Sequence, residues 1–183
     1  MSDGAVTASA SPEAAGSHPH DEMAGKHMTF KLGTEEYGLE ILKVRELIAL
    51  LPITPIPGTK PFIRGVINLR GKVIPVVDLR LKFAMPRVTA TDQTVIIVVQ
   101  YVHEGRDLIM GVLVDEVVEV LDIKPGQIEP PPDFGAGNIS TEYILGIGKA
   151  DHRVICLLDI DRVLNADEVR QLEGAARLDP EPE

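Results

Sequence analysis

The sequence predicts a mainly β protein made of two small barrels that lie side by side. Two observations lead to this prediction: short β-branched runs recur between turn residues, and one pattern of these runs occurs twice. A chain of 183 residues is long enough for two such units that share a core. A single unit of about 65 residues would be marginal on its own, because the buried fraction of a protein rises with its size.

Short apolar runs provide the first observation. They are rich in Val, Ile and Leu, and turn residues such as Gly, Pro, Asp and Asn border them, which favours strands over buried helices. The clearest runs occupy residues 73–77, 95–99, 108–114 and 154–158.

A weak internal repeat provides the second observation. Shifts of 73 and of 81 positions align glycine, β-branched and acidic residues of the two halves, and a loop of unequal length accounts for the difference between the shifts. We place the halves at about residues 26–90 and 91–165. The shorter shift aligns Tyr37-Gly38 with Met110-Gly111, Val44 with Val117 and Glu46 with Glu119, and the longer one aligns Gly65 with Gly146 and Asp78 with Asp159.

Three other segments have distinct local signals. Asn165 and Glu168 have the spacing of a capping box, which predicts a C-terminal helix that begins near Asn165. Four prolines within residues 52–61 predict a stiff connector or an edge, because proline cannot donate a backbone hydrogen bond. Three prolines at 130–132 predict a second long surface loop.

Most of the acidity lies at the ends of the chain. The net charge is −10, from 28 acidic and 18 basic residues; residues 1–25 and 166–183 each carry −4. We expect residues 1–25 to be a flexible acidic tail, residues 26–168 to fold as one domain, and residues 169–183 to hold the end of the helix and an acidic tail. No nucleic-acid partner is expected, because binding phosphate needs a clustered cationic surface.

The sequence predicts neither catalysis nor a metal site. The histidines lack HExxH or CxxC spacing, and Cys156 lies in an apolar run that favours a small core residue. We therefore expect no catalytic residue, metal or cofactor. No apolar stretch reaches the 18 residues of a membrane span, and no signal region begins the chain, so a cytoplasmic protein without membrane insertion is expected. A hydrolase or small-molecule binder that uses the proline loop and His103 stays open as an alternative.

The two halves differ most at one turn. Residues 68–71 read Asn-Leu-Arg-Gly in the first half, whereas the corresponding segment of the second half contains Asp151 and His152. Features that both halves share are architectural, so we look for partner-specific chemistry where they differ. Arg70 is the leading candidate, because a turn can present its planar five-donor guanidinium. The alternative is that Arg70 only pairs with a neighbouring carboxylate or is solvated.

Several segments of the chain together resemble CheW, the family of coupling proteins of bacterial chemotaxis arrays. The resemblance implies two intertwined five-stranded SH3-like β-barrels with a C-terminal helix, and an adaptor without catalytic activity. It covers about residues 28–165, and the Asn-Leu-Arg-Gly turn is its most specific motif. The matching segments are GTEEYGLEILKVREL (33–47), PFIRGVINLRGKVIPVVDLRLKF (61–83), and residues 94–98, 111–115 and 140–148.

The resemblance also implies partners. Members of the family connect the cytoplasmic tip of methyl-accepting chemotaxis receptors to the regulatory domain of the histidine kinase CheA, within membrane-associated arrays. A CheW paralogue that serves a non-flagellar chemosensory pathway, for surface motility or second-messenger control, is the alternative.

Two sets of binding residues follow from the resemblance, position by position. A receptor tip is a helical hairpin, which suits an apolar groove flanked by charges. Val44 could equally be a core residue and Glu46 a solvated carboxylate, whereas Gly65 and Gly71 are expected to serve backbone geometry. The receptor-binding set is Val44, Glu46, Asn68, Leu69, Arg70 and Gly71, and the kinase-binding set is Val117 and Val120.

Overall fold

The computed structural model describes residues 24–131 and 142–176, and these contain eleven strands and two α-helices. The predicted strands and the predicted C-terminal helix are all present. Most of both predicted acidic tails lies outside the described residues, as does the loop that follows Pro131. The elements are β1 (Gly25–Leu32), β2 (Glu35–Glu40), β3 (Val44–Ala49), β4 (Ile63–Leu69), β5 (Lys72–Asp78), α1 (Leu79–Lys82), β6 (Val95–His103), β7 (Arg106–Val114), β8 (Glu116–Ile123), β9 (Ile128–Glu129), β10 (Ile144–Ala150), β11 (Arg153–Leu158) and α2 (Ala166–Ala176).

The strands form two sheets that exchange hairpins. The strand order is β8-β1-β2-β11-β10-β9 in the six-stranded sheet and β3-β6-β7-β5-β4 in the five-stranded sheet. The β1–β2 hairpin of the first half therefore lies between strands of the second half, and the β6–β7 hairpin of the second half lies between strands of the first. Two parallel pairings, β2 with β11 and β5 with β7, join each hairpin to its host sheet. The mainly β fold with two intertwined units is confirmed.

The internal repeat extends to the irregularities of the strands. In β3 and β8 the register shifts at Arg45 and at Val118, which are 73 positions apart. In β4 and β10 it shifts at Arg64 and at Leu145, which are 81 positions apart. Bulges bend a strand at a defined point, so the two halves share backbone curvature as well as strand order.

The ends of the two sheets are closed in the same way. The two-residue strand β9 pairs with β10 in the six-stranded sheet, and Thr54 takes the same place beside Val66 in the five-stranded sheet, with two backbone hydrogen bonds of 2.9 Å. Thr54 belongs to the proline-rich connector, which confirms its prediction as an edge. The connector lies so close to β4 that a Cβ atom on Gly65 would lie 2.0 Å from the carbonyl oxygen of Thr54.

Three apolar clusters form the interior. One lies within the five-stranded sheet and includes Ile74 and Val98; another lies within the six-stranded sheet and includes Ile155. The third lies between the sheets, takes residues from both sheets and both helices, and is larger than the other two combined. Because burying a large apolar side chain is worth about 1.5–3 kcal/mol, the shared cluster makes the two sheets one folding unit.

Two aspartates that recur in the repeat stabilise local turns. Asp78 precedes α1 and its carboxylate accepts a hydrogen bond of 3.3 Å from the backbone N–H of Leu81. Asp159 accepts a bond of 3.0 Å from the N–H of Asp161. Both are side-chain to backbone bonds of the kind that fix turns and helix starts.

The capping box predicted for α2 is present, and it extends into a buried ion pair. Asn165 and Glu168 each accept a bond of 2.9 Å from the other's backbone N–H. The Glu168 side chain is only 2% exposed, and Lys82 donates to both of its oxygens at 2.8 Å. Removing one partner of such a pair costs about 3–5 kcal/mol, so this contact fixes α2 against α1.

Gly65→Ala should strongly destabilise the fold. Gly65 has a φ of +140°, and the new methyl group would overlap the backbone of Thr54. We expect the free energy of unfolding to fall by about 3 kcal/mol or more, measured by urea denaturation. Gly58→Ala is the matched control, because Gly58 also has a positive φ, +82°, but open space around it; its loss should be about 1 kcal/mol. Equal losses for the two variants would contradict the close packing of Thr54 against Gly65 at the end of the sheet.

Candidate functional site

The turn between β4 and β5 places Arg70 at the edge of the five-stranded sheet. Arg70 and Gly71 have φ values of 52° and 86°, the positive pair that two-residue type I′ hairpins require. The Asn68 side chain accepts a bond of 2.9 Å from the N–H of Gly71, which holds the turn closed. The role expected of Gly71 in backbone geometry is therefore observed. Asp151 and His152 have φ values of 46° and 65° in the corresponding turn of the second half.

Arg70 forms an ion pair with Glu46, which lies on β3, the edge strand at the other end of the strand order from β4. The exposed fraction of the Arg70 side chain is 72%, and that of Glu46 is 31%. The predicted alternative that Arg70 pairs with a carboxylate is thus correct, but the guanidinium still faces solvent. An exposed pair of this kind contributes about 0–1 kcal/mol to stability, so a partner could take over either charge at little energetic cost.

The ion pair borders a groove between β5 and β7. These strands pair only from Val76 and Gly111 onward, so their first residues diverge and leave a gap. A cavity of about 430 Å³ occupies one part of the gap, and a cavity of about 300 Å³ shares Lys72, Ile74 and Ile109 with it and continues to α2. We call the two together the β5–β7 groove. The larger cavity is lined by Arg45, Glu46, Leu69, Arg70, Lys72, Ile74, Val98 and Ile109.

The structure brings together only part of the predicted receptor set. Glu46, Leu69 and Arg70 line the groove, and Asn68 and Gly71 shape the turn beside it. Val44 begins β3, pairs with Val99 and packs against the shared cluster, so it lies on the core side of this region.

Five residues of the larger cavity were not predicted from the sequence. They reach it because β3, β5, β6 and β7 converge there, and they are Arg45, Lys72, Ile74, Val98 and Ile109. Ile109 is 42% exposed although it lies in a strongly apolar strand. Ile109 therefore adds exposed apolar surface to the groove.

The groove is apolar at its floor and cationic near the turn. Among the described residues, Lys72 and Arg45 have no carboxylate within ion-pair distance. The larger cavity therefore has three positive charges, on Arg45, Arg70 and Lys72, and one negative charge, on Glu46. At the other end, Arg106 pairs with Glu173 of α2 at 2.7 Å. Burial raises the pKa of Tyr101 to about 12, so this phenol beside α2 stays uncharged.

The predicted kinase-binding residues lie on β8, an edge strand that pairs, among the described strands, with β1 alone. Val117 packs against the shared cluster, whereas Val120 is 49% exposed. Glu119 lies between them in sequence and its carboxylate accepts from Arg153 at 2.6 Å. Val120 is therefore the more exposed residue of the predicted pair, since Val117 is partly buried.

Residues 24–131 and 142–176 contain no group of three or more His, Cys, Asp or Glu that could hold a metal ion. No helix in these ranges is long and apolar enough to cross a lipid bilayer. His103 ends β6 in the five-stranded sheet, whereas the proline loop follows β9 in the other sheet, and most of that loop lies outside the described ranges.

Comparisons with known proteins agree with this architecture. A model of the CheW-like domain matches residues 26–168. The chemotaxis protein CheW of Klebsiella aerogenes is 39% identical over 82% of this chain and 87% of its own, and that of Bacillus subtilis is 34% identical over 78% and 88%. The crystal structure of the scaffolding protein TtCheW from Thermoanaerobacter tengcongensis superimposes with a TM-score of 0.69 and 37% identity, covering 80% of this chain and 96% of that one.

Arg70→Ala should leave the stability of the protein nearly unchanged. The Arg70 side chain is mostly solvated, so the free energy of unfolding should change by less than about 1 kcal/mol. Lys82→Ala is the comparison: it leaves the buried Glu168 without its main cation and should cost about 3 kcal/mol or more. Chemical denaturation of both variants measures the difference, and a large loss for Arg70→Ala would show that the residue is structural.

Proposed function

The chain belongs to the CheW-like family, and we propose that it is a non-catalytic adaptor that couples chemoreceptors to the histidine kinase CheA. As a member of this family it is a chemotaxis scaffold, and the finer proposal concerns which surfaces meet which partners. The β5–β7 groove would bind the cytoplasmic tip of a methyl-accepting chemotaxis receptor. The β8 edge would contact the regulatory domain of CheA.

The exposed Arg70–Glu46 pair beside an apolar groove is the observation that carries the proposal. A receptor tip is a helical hairpin, and a helix can place apolar side chains against Ile74 and Ile109 while its polar residues meet the two charges. Charges at the border of an apolar surface define orientation and register more than affinity. Such binding needs no cofactor, and it would recruit a cytoplasmic protein to arrays at the membrane.

The kinase contact rests on the exposed side of β8. An edge strand with an exposed valine offers both apolar surface and unpaired backbone groups to another β domain. The CheA regulatory domain is itself CheW-like according to the resemblance. Contacts that join two different surfaces of such domains can close into rings when the rotation from one domain to the next allows it. Array building requires contacts of this kind.

A non-flagellar chemosensory pathway is the second candidate. Protein FrzA of Myxococcus xanthus is 29% identical over 77% of this chain and 86% of its own length, so the relatives include a protein with another name than CheW. The higher identity to CheW proteins favours the chemotaxis assignment. A gene neighbourhood that contains a chemoreceptor and a CheA-type kinase for flagellar motility would support the first candidate over the second.

Arg70→Glu should weaken binding of a receptor-tip fragment. The change places two acidic groups side by side where an ion pair stood, and loss of a desolvated charge contact costs about 2 kcal/mol, or roughly thirtyfold in Kd. Isothermal titration calorimetry gives the Kd. Asp151→Lys reverses a charge in the corresponding turn of the second half and is the matched control.

The control should bind the receptor fragment as the unchanged protein does. Reconstituted arrays of receptor, CheA and this chain provide a second readout, the ATP-dependent phosphorylation of CheA, which should fall with Arg70→Glu. Kinase output that does not depend on the chain, together with unaltered receptor binding by Arg70→Glu, would refute the proposal.

Val120→Asp should weaken binding to CheA without affecting receptor binding. Burying an exposed valine side chain is worth about 1 kcal/mol or more, and a charge in its place adds a desolvation cost, so Kd should rise at least about fivefold. Val154→Asp, at an exposed valine of β11, is the control. Surface plasmon resonance with the CheA regulatory domain distinguishes them, and equal affinities would place the kinase contact elsewhere.

A further inference from the structure

The groove has a candidate occupant within the same chain. Helix α2 ends at Ala176, and Leu172 and Glu173 of its last turns line the smaller cavity of the β5–β7 groove. Residues 177–183 follow directly and read Arg-Leu-Asp-Pro-Glu-Pro-Glu. We infer that this acidic segment, which we call the C-terminal tail, binds in the β5–β7 groove and competes with the receptor for it.

The charges of the tail complement those of the larger cavity. The tail carries Asp179, Glu181 and Glu183 against Arg177. The larger cavity carries Arg45, Arg70 and Lys72 against Glu46, which is paired with Arg70. The smaller cavity carries Asp107 and Glu173, and Glu173 is paired with Arg106. The acidic residues would therefore lie near Lys72 and the turn, and Leu178 would contact the apolar floor at Ile74 and Ile109.

The tail is long enough to reach the whole groove. Seven extended residues span at most about 25 Å. The part of β5 that borders both cavities is Lys72 to Pro75, which is about 13 Å of strand. Because α2 is anchored by the buried Lys82–Glu168 pair, its end stays beside the groove, and a short tether gives the tail a local concentration of about 1 mM.

The other acidic tail begins at a different place. Residues 1–23 precede Ala24, which packs against the apolar cluster of the six-stranded sheet, whereas the β5–β7 groove belongs to the five-stranded sheet. Residues 1–23 carry a charge of −4 and the C-terminal tail carries −2, and the two segments start at different sheets. Charge alone therefore predicts at least as large an effect from residues 1–23, whereas position predicts an effect from the C-terminal tail only.

Backbone amide chemical shifts test whether the tail occupies the groove. In the chain with Asp179→Lys, Glu181→Lys and Glu183→Lys, the amides of Lys72, Ile74 and Ile109 should shift relative to the unchanged protein. The amides of Arg153 and Ile155, which correspond to Lys72 and Ile74 in the second half, should not. Reversal of three N-terminal acids, by Asp3→Lys, Glu13→Lys and Asp21→Lys, changes the net charge equally and is the control.

Groove amides that do not respond, or that respond equally to both triple variants, would overturn the inference. In the first case the tail does not occupy the groove. In the second case only the net charge of the chain matters.

Competition is measured with a receptor-tip fragment, and this step rests on the proposed function. If the tail occupies half to nine-tenths of the molecules, its reversal should tighten receptor binding about two- to tenfold. The difference should vanish at about 1 M salt, where charges are screened within about 3 Å. Tail-dependent shifts without receptor binding would refute the adaptor function alone. Receptor binding that Arg70→Glu weakens, without tail-dependent shifts, would refute the tail alone.

Discussion

The exchange of hairpins between the two halves is the constraint on which the rest of the structure depends. Neither half can complete a sheet from its own strands, because β1 and β2 fill one sheet while β6 and β7 fill the other. The apolar cluster between the sheets is then buried only when both are formed. The β5–β7 groove is a product of this exchange, since it lies between a strand of the first half and a strand contributed by the second.

The repeat keeps the backbone constant and lets the side chains diverge. Both halves use the same bulges and the same positive-φ turn, yet the turn presents Arg70 in one half and Asp151 in the other. Glu46 and Glu119 correspond, and each accepts from an arginine, but Glu119 binds Arg153 on the strand and Glu46 binds Arg70 at the turn. Moving the arginine by two positions takes the ion pair from the face of a sheet to the border of a groove.

Local signals in the sequence predicted the strands, the capping box and the turn at residues 68–71, because each depends on neighbouring residues. The repeat predicted two units side by side, and the family resemblance implied that they are intertwined. The groove was not predicted, since Ile74 and Ile109 meet only through the parallel pairing of β5 with β7. The exposed side of β8 was not predicted either, because the bulge at Val118 breaks the alternation that separates the two faces of a strand.

The two kinds of ion pair in this chain suit two different tasks. The Lys82–Glu168 pair is buried and hydrogen-bonded, so breaking it leaves a charged side chain buried without a partner or water. This pair therefore serves the stability of the fold. The Arg70–Glu46 pair is open to water, and its charges can be separated for about 1 kcal/mol or less. A surface that must accept and release partners needs the second kind. An adaptor that holds its helices with one pair and offers the other at its groove can exchange partners without loosening its own fold.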